Sequence, residues 1–125
     1  MAWYTRTEAF EGDVKEYEHK AWEKAQVLPT VDEACMSVQF SHIFAGGYSA
    51  GYYSYKWAEV LDADAFSLFK EKGIFNEEVA TSFRENILSK GGTEHQMTLY
   101  KRFRGQEPTI DALLMRNGIK TKYKE

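Results

Sequence analysis

The residues best suited to chemistry lie in one stretch of the chain, positions 40–59. His42 is followed there by the pair Gly46-Gly47. A histidine beside such a flexible joint can swing toward a ligand. Phenol hydroxyls donate hydrogen bonds to a ligand's carbonyls while the rings contact its apolar groups, so tyrosines suit a binding surface. The tyrosines of this stretch are Tyr48, Tyr52, Tyr53 and Tyr55.

Read as a helix from Tyr48 onward, the stretch predicts two faces. One face would be apolar. The opposite face would carry three tyrosines at spacings i, i+4 and i+7, namely Tyr48, Tyr52 and Tyr55. Packing and ligand binding both explain three tyrosines on one face, and periodicity does not separate them. Asp64 falls within the apolar face, so we expect it to pair with an Arg or Lys of another helix. The residues predicted for the apolar face are Tyr53, Trp57, Val60, Leu61 and Leu68.

The remaining sequence has helical periodicity almost throughout. Only positions 3–7 look capable of extended structure. The predicted fold class is therefore all-α, in a single helical domain spanning residues 1–125. The predicted helices cover about 13–25, 32–40, 48–72, 76–90, 93–103 and 109–118.

Several residues are typical of helix ends. Asp13 with Glu16 predicts an N-terminal cap, as does Asn76, and Thr93 with Gln96 predicts a capping box. After the Asn76 cap, the apolar positions in register are Val79, Phe83 and Ile87.

Composition argues against several classes of protein. A net charge of -3 argues against nucleic acid as the main partner. No apolar run approaches the roughly 20 residues that span a bilayer, nothing resembles a signal peptide, and Cys35 is the single cysteine. We therefore expect a cytoplasmic protein with no nucleic-acid or membrane partner. The aromatic share of 15% predicts homo-oligomers through exposed aromatic surface, with the tyrosine stretch and Trp3–Tyr4 as contacts.

The sequence resembles one family over nearly its whole length. Positions 40–59 closely resemble zinc oligopeptidases of the thimet oligopeptidase type, which include oligopeptidase A and the bacterial peptidyl-dipeptidases. The resemblance implies an all-α, two-lobed enzyme that hydrolyses short peptides in a deep channel, and it makes this chain the C-terminal helical segment. The other matching stretches are 11–14, 28–29, 63–66, 87–92, 103–108 and 117–119.

The resemblance also implies roles for the residues singled out above. The hydroxyl of Tyr55 or of Tyr48 would stabilise the oxyanion that forms on the attacked carbonyl. His42 and Tyr52 would hold the peptide backbone near the cut. The substrate-binding residues are then His42, Gly46, Gly47, Tyr48, Tyr52 and Tyr55.

The chain departs from the family in its metal motif. The family holds zinc with a His-Glu-x-x-His helix and a downstream glutamate, and that motif does not occur in these 125 residues. His19, His42 and His95 have no ligand-like spacing. We therefore expect zinc in the full-length family and no metal site on this chain. Gln96 also stands where relatives usually have proline.

Three functions remain open at this point. The first is a part of an oligopeptidase or peptidyl-dipeptidase that contributes the tyrosine wall of the site, partners with the rest of the peptidase chain and with short peptides, and is inactive alone. The second is a stand-alone peptide-binding or regulatory module. The third is a structural helical domain. Whether the coding region upstream encodes His-Glu-x-x-His in frame distinguishes the first from the second.

Overall fold

The computed structural model describes residues 2–119, and these residues form helices and turns with no strand. The all-α prediction is confirmed. The chain divides into two compact units, with the boundary between Ser54 and Tyr55. Among the described residues, no helix is both long and apolar enough to cross a membrane.

The first unit is built from short elements. Its α-helices are α1, Val14–Trp22, and α2, Met36–Gln39. Its 3₁₀ turns are Ala2–Thr5, Glu23–Ala25 and Ser41–Ile43. The predicted cap of α1 is confirmed, because Asp13 Oδ1 accepts the Glu16 N–H at 2.8 Å. The predicted extended segment at 3–7 is wrong, since that stretch begins in a 3₁₀ turn.

Aromatic rings form the apolar centre of the first unit. The Trp3 and Phe10 rings lie 4.5 and 4.8 Å from the Tyr17 ring, measured between centroids. The Tyr17 hydroxyl donates to the Ala2 carbonyl at 2.9 Å, which ties the N-terminal turn to α1. Trp3 and Tyr4 are accordingly half-buried. Homo-oligomers through exposed aromatic surface stay a prediction.

The second unit consists of longer helices. They are α3, Ser54–Lys72; α4, Glu77–Phe83, which continues as a π-helix over Arg84–Leu88; α5, Gln96–Arg104; and α6, Asp111–Arg116. Helix α3 ends before Gly73, whose φ of 110° favours glycine. Asn76 caps α4 as predicted, accepting the Val79 N–H at 3.0 Å.

The cap predicted for α5 is wrong. His95, not Thr93, is its N-cap, and His95 Nδ1 accepts the Met97 N–H at 3.3 Å. The Gln96 side chain donates instead to the Gly91 carbonyl at 2.9 Å. A histidine ring nitrogen thus does here what a Thr hydroxyl commonly does.

Helices α3, α4, α5 and α6 supply the core of the second unit. One buried cluster joins Val60 and Ala63 to Leu113, and another joins Ala65 to Tyr100 and Phe103. The half-buried side chains packed on the second cluster are Leu61, Leu68, Phe69, Val79, Phe83 and Ile87. The predicted register of Val79, Phe83 and Ile87 is therefore confirmed.

Asp64 is buried within this core, with 2% of its surface exposed. Its Oδ2 accepts from the Tyr100 hydroxyl at 2.6 Å and lies 3.2 Å from Arg104 Nε. The predicted pairing with a cation of another helix is confirmed, since Arg104 belongs to α5. Burial of the Tyr100 phenol, and after it the hydrogen bond to Asp64 and the charge of that carboxylate, raise the pKa of Tyr100, because each disfavours the phenolate.

The long helix predicted from Tyr48 begins only at Ser54. Residues 49–53 form turns, and Ala50 has a φ of 55°, which a right-handed helix does not contain. Tyr48 and Tyr52 therefore do not lie on the face of a helix, and the prediction that they do is wrong. Tyr53 is also not a core residue, because 72% of it is exposed, and Trp57 is 47% exposed.

Candidate functional site

Three of the predicted site residues meet in the first unit despite the missing helix. The His42 ring lies 4.9 Å from the Tyr48 ring and 5.5 Å from the Tyr52 ring, between centroids. The two tyrosine rings are 6.0 Å apart. We call His42, Tyr48 and Tyr52 the ring site. Their side chains present one imidazole and two phenols, which can donate and accept hydrogen bonds.

Consecutive turns bring these rings together. The 3₁₀ turn that holds His42 closes with the Phe44 N–H on the Ser41 carbonyl at 3.2 Å. The chain then reverses at Gly46 and Gly47, whose φ angles of 69° and 77° lie in the left-handed region. The reversal returns Tyr48 to His42.

A second pair of turns places Tyr52. The Gly51 N–H donates to the Tyr48 carbonyl at 2.9 Å, and the Ser54 N–H donates to the Gly51 carbonyl at 3.0 Å. Ala50, inside the first of these turns, lies in the left-handed region with a φ of 55°. A non-glycine residue there carries backbone strain, which is typical of functional segments.

The ring site is partly open to solvent. His42 and Tyr48 are half-buried, and Tyr52 is 43% exposed. Phe40 lies behind it, with its ring 5.1 Å from His42 and 4.7 Å from Tyr52. We call the Phe40 ring the wall of the ring site, and an apolar ring beside polar side chains is typical of a ligand site.

Tyr55 lies in the second unit, in the first turn of α3, and 51% of it is exposed. Its role beside Tyr48 in a catalytic site stays a prediction. The substrate-binding role of His42, Gly46, Gly47, Tyr48 and Tyr52 also stays a prediction.

Sequence reasoning missed the buried carboxylate of the first unit. Glu18 is 8% exposed and accepts the Met36 and Ser37 N–H groups at 2.8 and 2.5 Å. A signal was available, because Glu18 falls in the same i, i+4 register of α1 as Val14. A charged residue on an apolar helix face has a buried partner. No comparable signal marked Phe40 as the wall of the ring site.

The described residues do not fit a zinc site on their own. Zinc requires at least three nitrogen, sulfur or carboxylate ligands from the protein. Within residues 2–119, no three His, Cys, Asp or Glu side chains lie close enough together to hold a metal ion. The ring site carries hydrogen-bonding groups, one imidazole and two phenols, rather than a set of metal ligands.

Comparison with known proteins gives one family. The profile of Peptidase family M3 matches residues 1–119. The chain is 68% identical over 94 residues to oligopeptidase A of Escherichia coli (strain K12), which covers 75% of this chain and 14% of that protein.

Two further relatives show the range of the similarity. The probable cytosolic oligopeptidase A of Arabidopsis thaliana is 49% identical over 100 residues, 77% of this chain and 14% of that protein. The dipeptidyl carboxypeptidase of Salmonella typhimurium is 39% identical over 121 residues, 95% of this chain and 18% of that protein. The chain therefore matches only 14 to 18% of the length of these three relatives.

Proposed function

The chain belongs to peptidase family M3, and we propose that it forms the substrate-facing wall of a zinc-dependent oligopeptidase that hydrolyses short peptides. The observation that carries this proposal is the meeting of His42, Tyr48 and Tyr52 within 6.0 Å of one another, between ring centroids. A family of peptidases requires groups that bind a peptide backbone, and these three side chains supply them. A cytoplasmic location stays a prediction, because one Arabidopsis relative is named cytosolic and another, equally 49% identical, is named organellar.

The proposed roles divide the tyrosines by chemistry. When the scissile carbonyl is attacked, negative charge develops on its oxygen, and a positioned hydroxyl stabilises that charge. We assign this donor to Tyr55 or Tyr48. His42 and Tyr52 hold the peptide backbone on either side of the cut, where the Phe40 wall receives an apolar side chain.

The proposal assigns zinc to other parts of a longer peptidase. The family is zinc-dependent, and residues 2–119 contain no group of side chains that fits the metal. Every role given to this chain is accordingly binding, orientation or hydrogen-bond donation by its own residues. On this proposal the chain by itself hydrolyses no peptide.

A chimera tests the proposal. This chain replaces the matching region of Escherichia coli oligopeptidase A, and hydrolysis of a short peptide is measured. We expect activity to be retained. Phenylalanine at the oxyanion donor, Tyr55 or Tyr48, should lower kcat about 10²–10³-fold, roughly 3–4 kcal/mol, with little change in KM. Tyr52→Phe should chiefly raise KM.

Two tyrosines serve as matched controls. Tyr53→Phe removes an exposed hydroxyl in the same segment and should leave kcat unchanged. Tyr100→Phe removes the hydroxyl bonded to Asp64 and should lower stability without changing kcat per folded molecule. An inactive chimera, or equal small effects at all these tyrosines, would contradict the proposal.

A further inference from the structure

The buried carboxylate of Glu18 joins α1 to the start of α2. Its Oε1 accepts the Met36 N–H at 2.8 Å, and its Oε2 accepts the Ser37 N–H at 2.5 Å. The Cys35 thiol lies 3.6 Å from the same Oε2. The carboxylate therefore binds three successive residues at the point where the chain enters α2.

These contacts keep the carboxylate ionised. Burial alone would raise the pKa of Glu18, but the hydrogen bonds from Ser37, Met36 and Cys35 outweigh burial and lower it. A hydrogen bond to an ionised acceptor is roughly twice as strong as one between neutral groups. Glu18 thus holds this segment more firmly than a neutral side chain would.

The held segment leads directly into the ring site. Phe40 is the C-cap of α2, and its N–H donates to the Met36 carbonyl at 2.8 Å. The Phe40 ring is the wall that contacts His42 and Tyr52. One turn of helix and the Phe40 ring therefore connect Met36 to the ring site.

A second set of contacts holds the chain on both sides of His42. The Tyr4 hydroxyl donates to the carbonyl of Ile43, the residue directly after His42. Trp3 Nε1 donates to Ser37 Oγ at 2.9 Å. The segment that carries His42 is therefore fixed before and after that residue.

We propose that Glu18 is a positioning residue of the peptide site, which fixes the His42 imidazole by holding the start of α2. The inference rests on the proposed function for its consequence in catalysis, and on the contacts above for its geometry. Glu18 touches no substrate in this scheme. It acts through Met36, Phe40 and the turn that carries His42.

Nuclear magnetic resonance on the whole chain tests the geometry. Glu18→Gln keeps the shape but places an amide NH₂ against a backbone N–H. Hydrogen exchange at Met36 and Ser37 should accelerate about 10–100-fold, and the ring signals of His42 should shift. Signals of the second unit, such as the Leu99 amide, should not change. Glu16→Gln, an exposed change on the same helix, is the matched control.

A second variant guards against simple unfolding of the first unit. Met36→Pro removes one of the two N–H groups that donate to Glu18, and a helix tolerates proline at its first residue. It should shift the His42 signals as Glu18→Gln does. If the His42 signals keep their positions in both variants, the proposal is wrong. Collapse of all first-unit signals in both variants would equally contradict it, because Glu18 would then be a general stabiliser.

The chimera tests the consequence for catalysis. Glu18→Gln should raise KM about tenfold while kcat changes less than about threefold, because His42 is proposed to bind the substrate backbone. A merely structural role would lower the folded fraction, and hence apparent kcat, with KM unchanged. If the chimera with intact Glu18 is inactive, the proposed function fails, and the resonance experiment still decides whether Glu18 positions His42.

Discussion

The two units of this chain are stabilised in different ways. The second unit packs four helices around two buried apolar clusters, among its described residues. In the described part of the first unit, residues 2–54, the one buried residue is a carboxylate, Glu18. That unit is held by ring contacts and by hydrogen bonds to short segments of backbone.

This difference explains where the ring site lies. Regular helices with a continuous core resist rearrangement, whereas turns held by a few contacts can be shaped around a ligand. His42, Tyr48 and Tyr52 all lie on turns outside α-helices. The contacts that hold these turns include those of Glu18 with Met36 and Ser37 and that of Tyr4 with Ile43.

Removing a core ring of the second unit should give the largest difference in stability between the two units. Phe103→Ala empties the cluster in which the Phe103 ring lies 5.1 Å from Phe83. It should lower the stability of the second unit by about 3–5 kcal/mol. Urea unfolding followed residue by residue measures this, and first-unit signals should keep their midpoint.

The control for Phe103→Ala is an exposed phenylalanine of the same unit. Phe75 is 95% exposed, so Phe75→Ala should change stability by less than about 0.5 kcal/mol. Equal losses in both units after Phe103→Ala would show that the units unfold as one body.

The second unit was also the part that the sequence predicted well. Its apolar residues recur at helical spacing, so Val79, Phe83 and Ile87 could be assigned to one face. The place of Asp64 on the apolar face of α3 predicted a cationic partner from another helix, but only the structure identifies that partner as Arg104. Two predictions failed there. Trp57, predicted for the apolar face, is 47% exposed. The cap of α5 was also wrong, because histidine is not among the residues that commonly occupy N-caps.

The first unit was predicted less well for a physical reason. Residues 48–53 have the spacing of a helix, but Gly47 and Ala50 adopt positive φ. A positive φ can be expected from the sequence at a glycine but not at an alanine. His42, Tyr48 and Tyr52 nevertheless meet, through turns rather than a helical face. Contacts between segments far apart in sequence, such as Tyr4 with Ile43, have no periodic signal at all.

Alanine at Gly47 should have an intermediate effect. A Cβ there meets no atom within 4 Å, so the cost comes from the backbone φ of 77° alone, about 1–2 kcal/mol. In the chimera, Gly47→Ala should slow peptide hydrolysis, because the reversal that returns Tyr48 to His42 is disfavoured.

Gly92→Ala is the control for this backbone effect. Gly92 also has open space around it but no positive φ, so alanine should be neutral or stabilise slightly. If both alanine variants slow hydrolysis to the same degree, the left-handed reversal at Gly47 is not what the site requires.

Acid should weaken the first unit more than the second, and this is the smallest effect we expect. The pKa of Glu18 is lowered from its ordinary value of 4.5, because hydrogen bonds from Ser37, Met36 and Cys35 outweigh burial. A carboxylate with a lowered pKa contributes its full stabilisation above the ordinary value, and loses it as the pH falls through the lowered one. Urea midpoints of first-unit signals should therefore decrease as the pH is lowered from about 5 to about 3, and Glu18→Gln should flatten that dependence.

In the second unit, hydrogen bonds from Arg102 and Lys101 lower the pKa values of Glu94 and Glu107. Both are solvent-screened surface pairs, so Glu94→Gln should alter the acid dependence very little. Parallel acid loss in both units, unchanged by Glu18→Gln, would show that the buried carboxylate does not hold the first unit together.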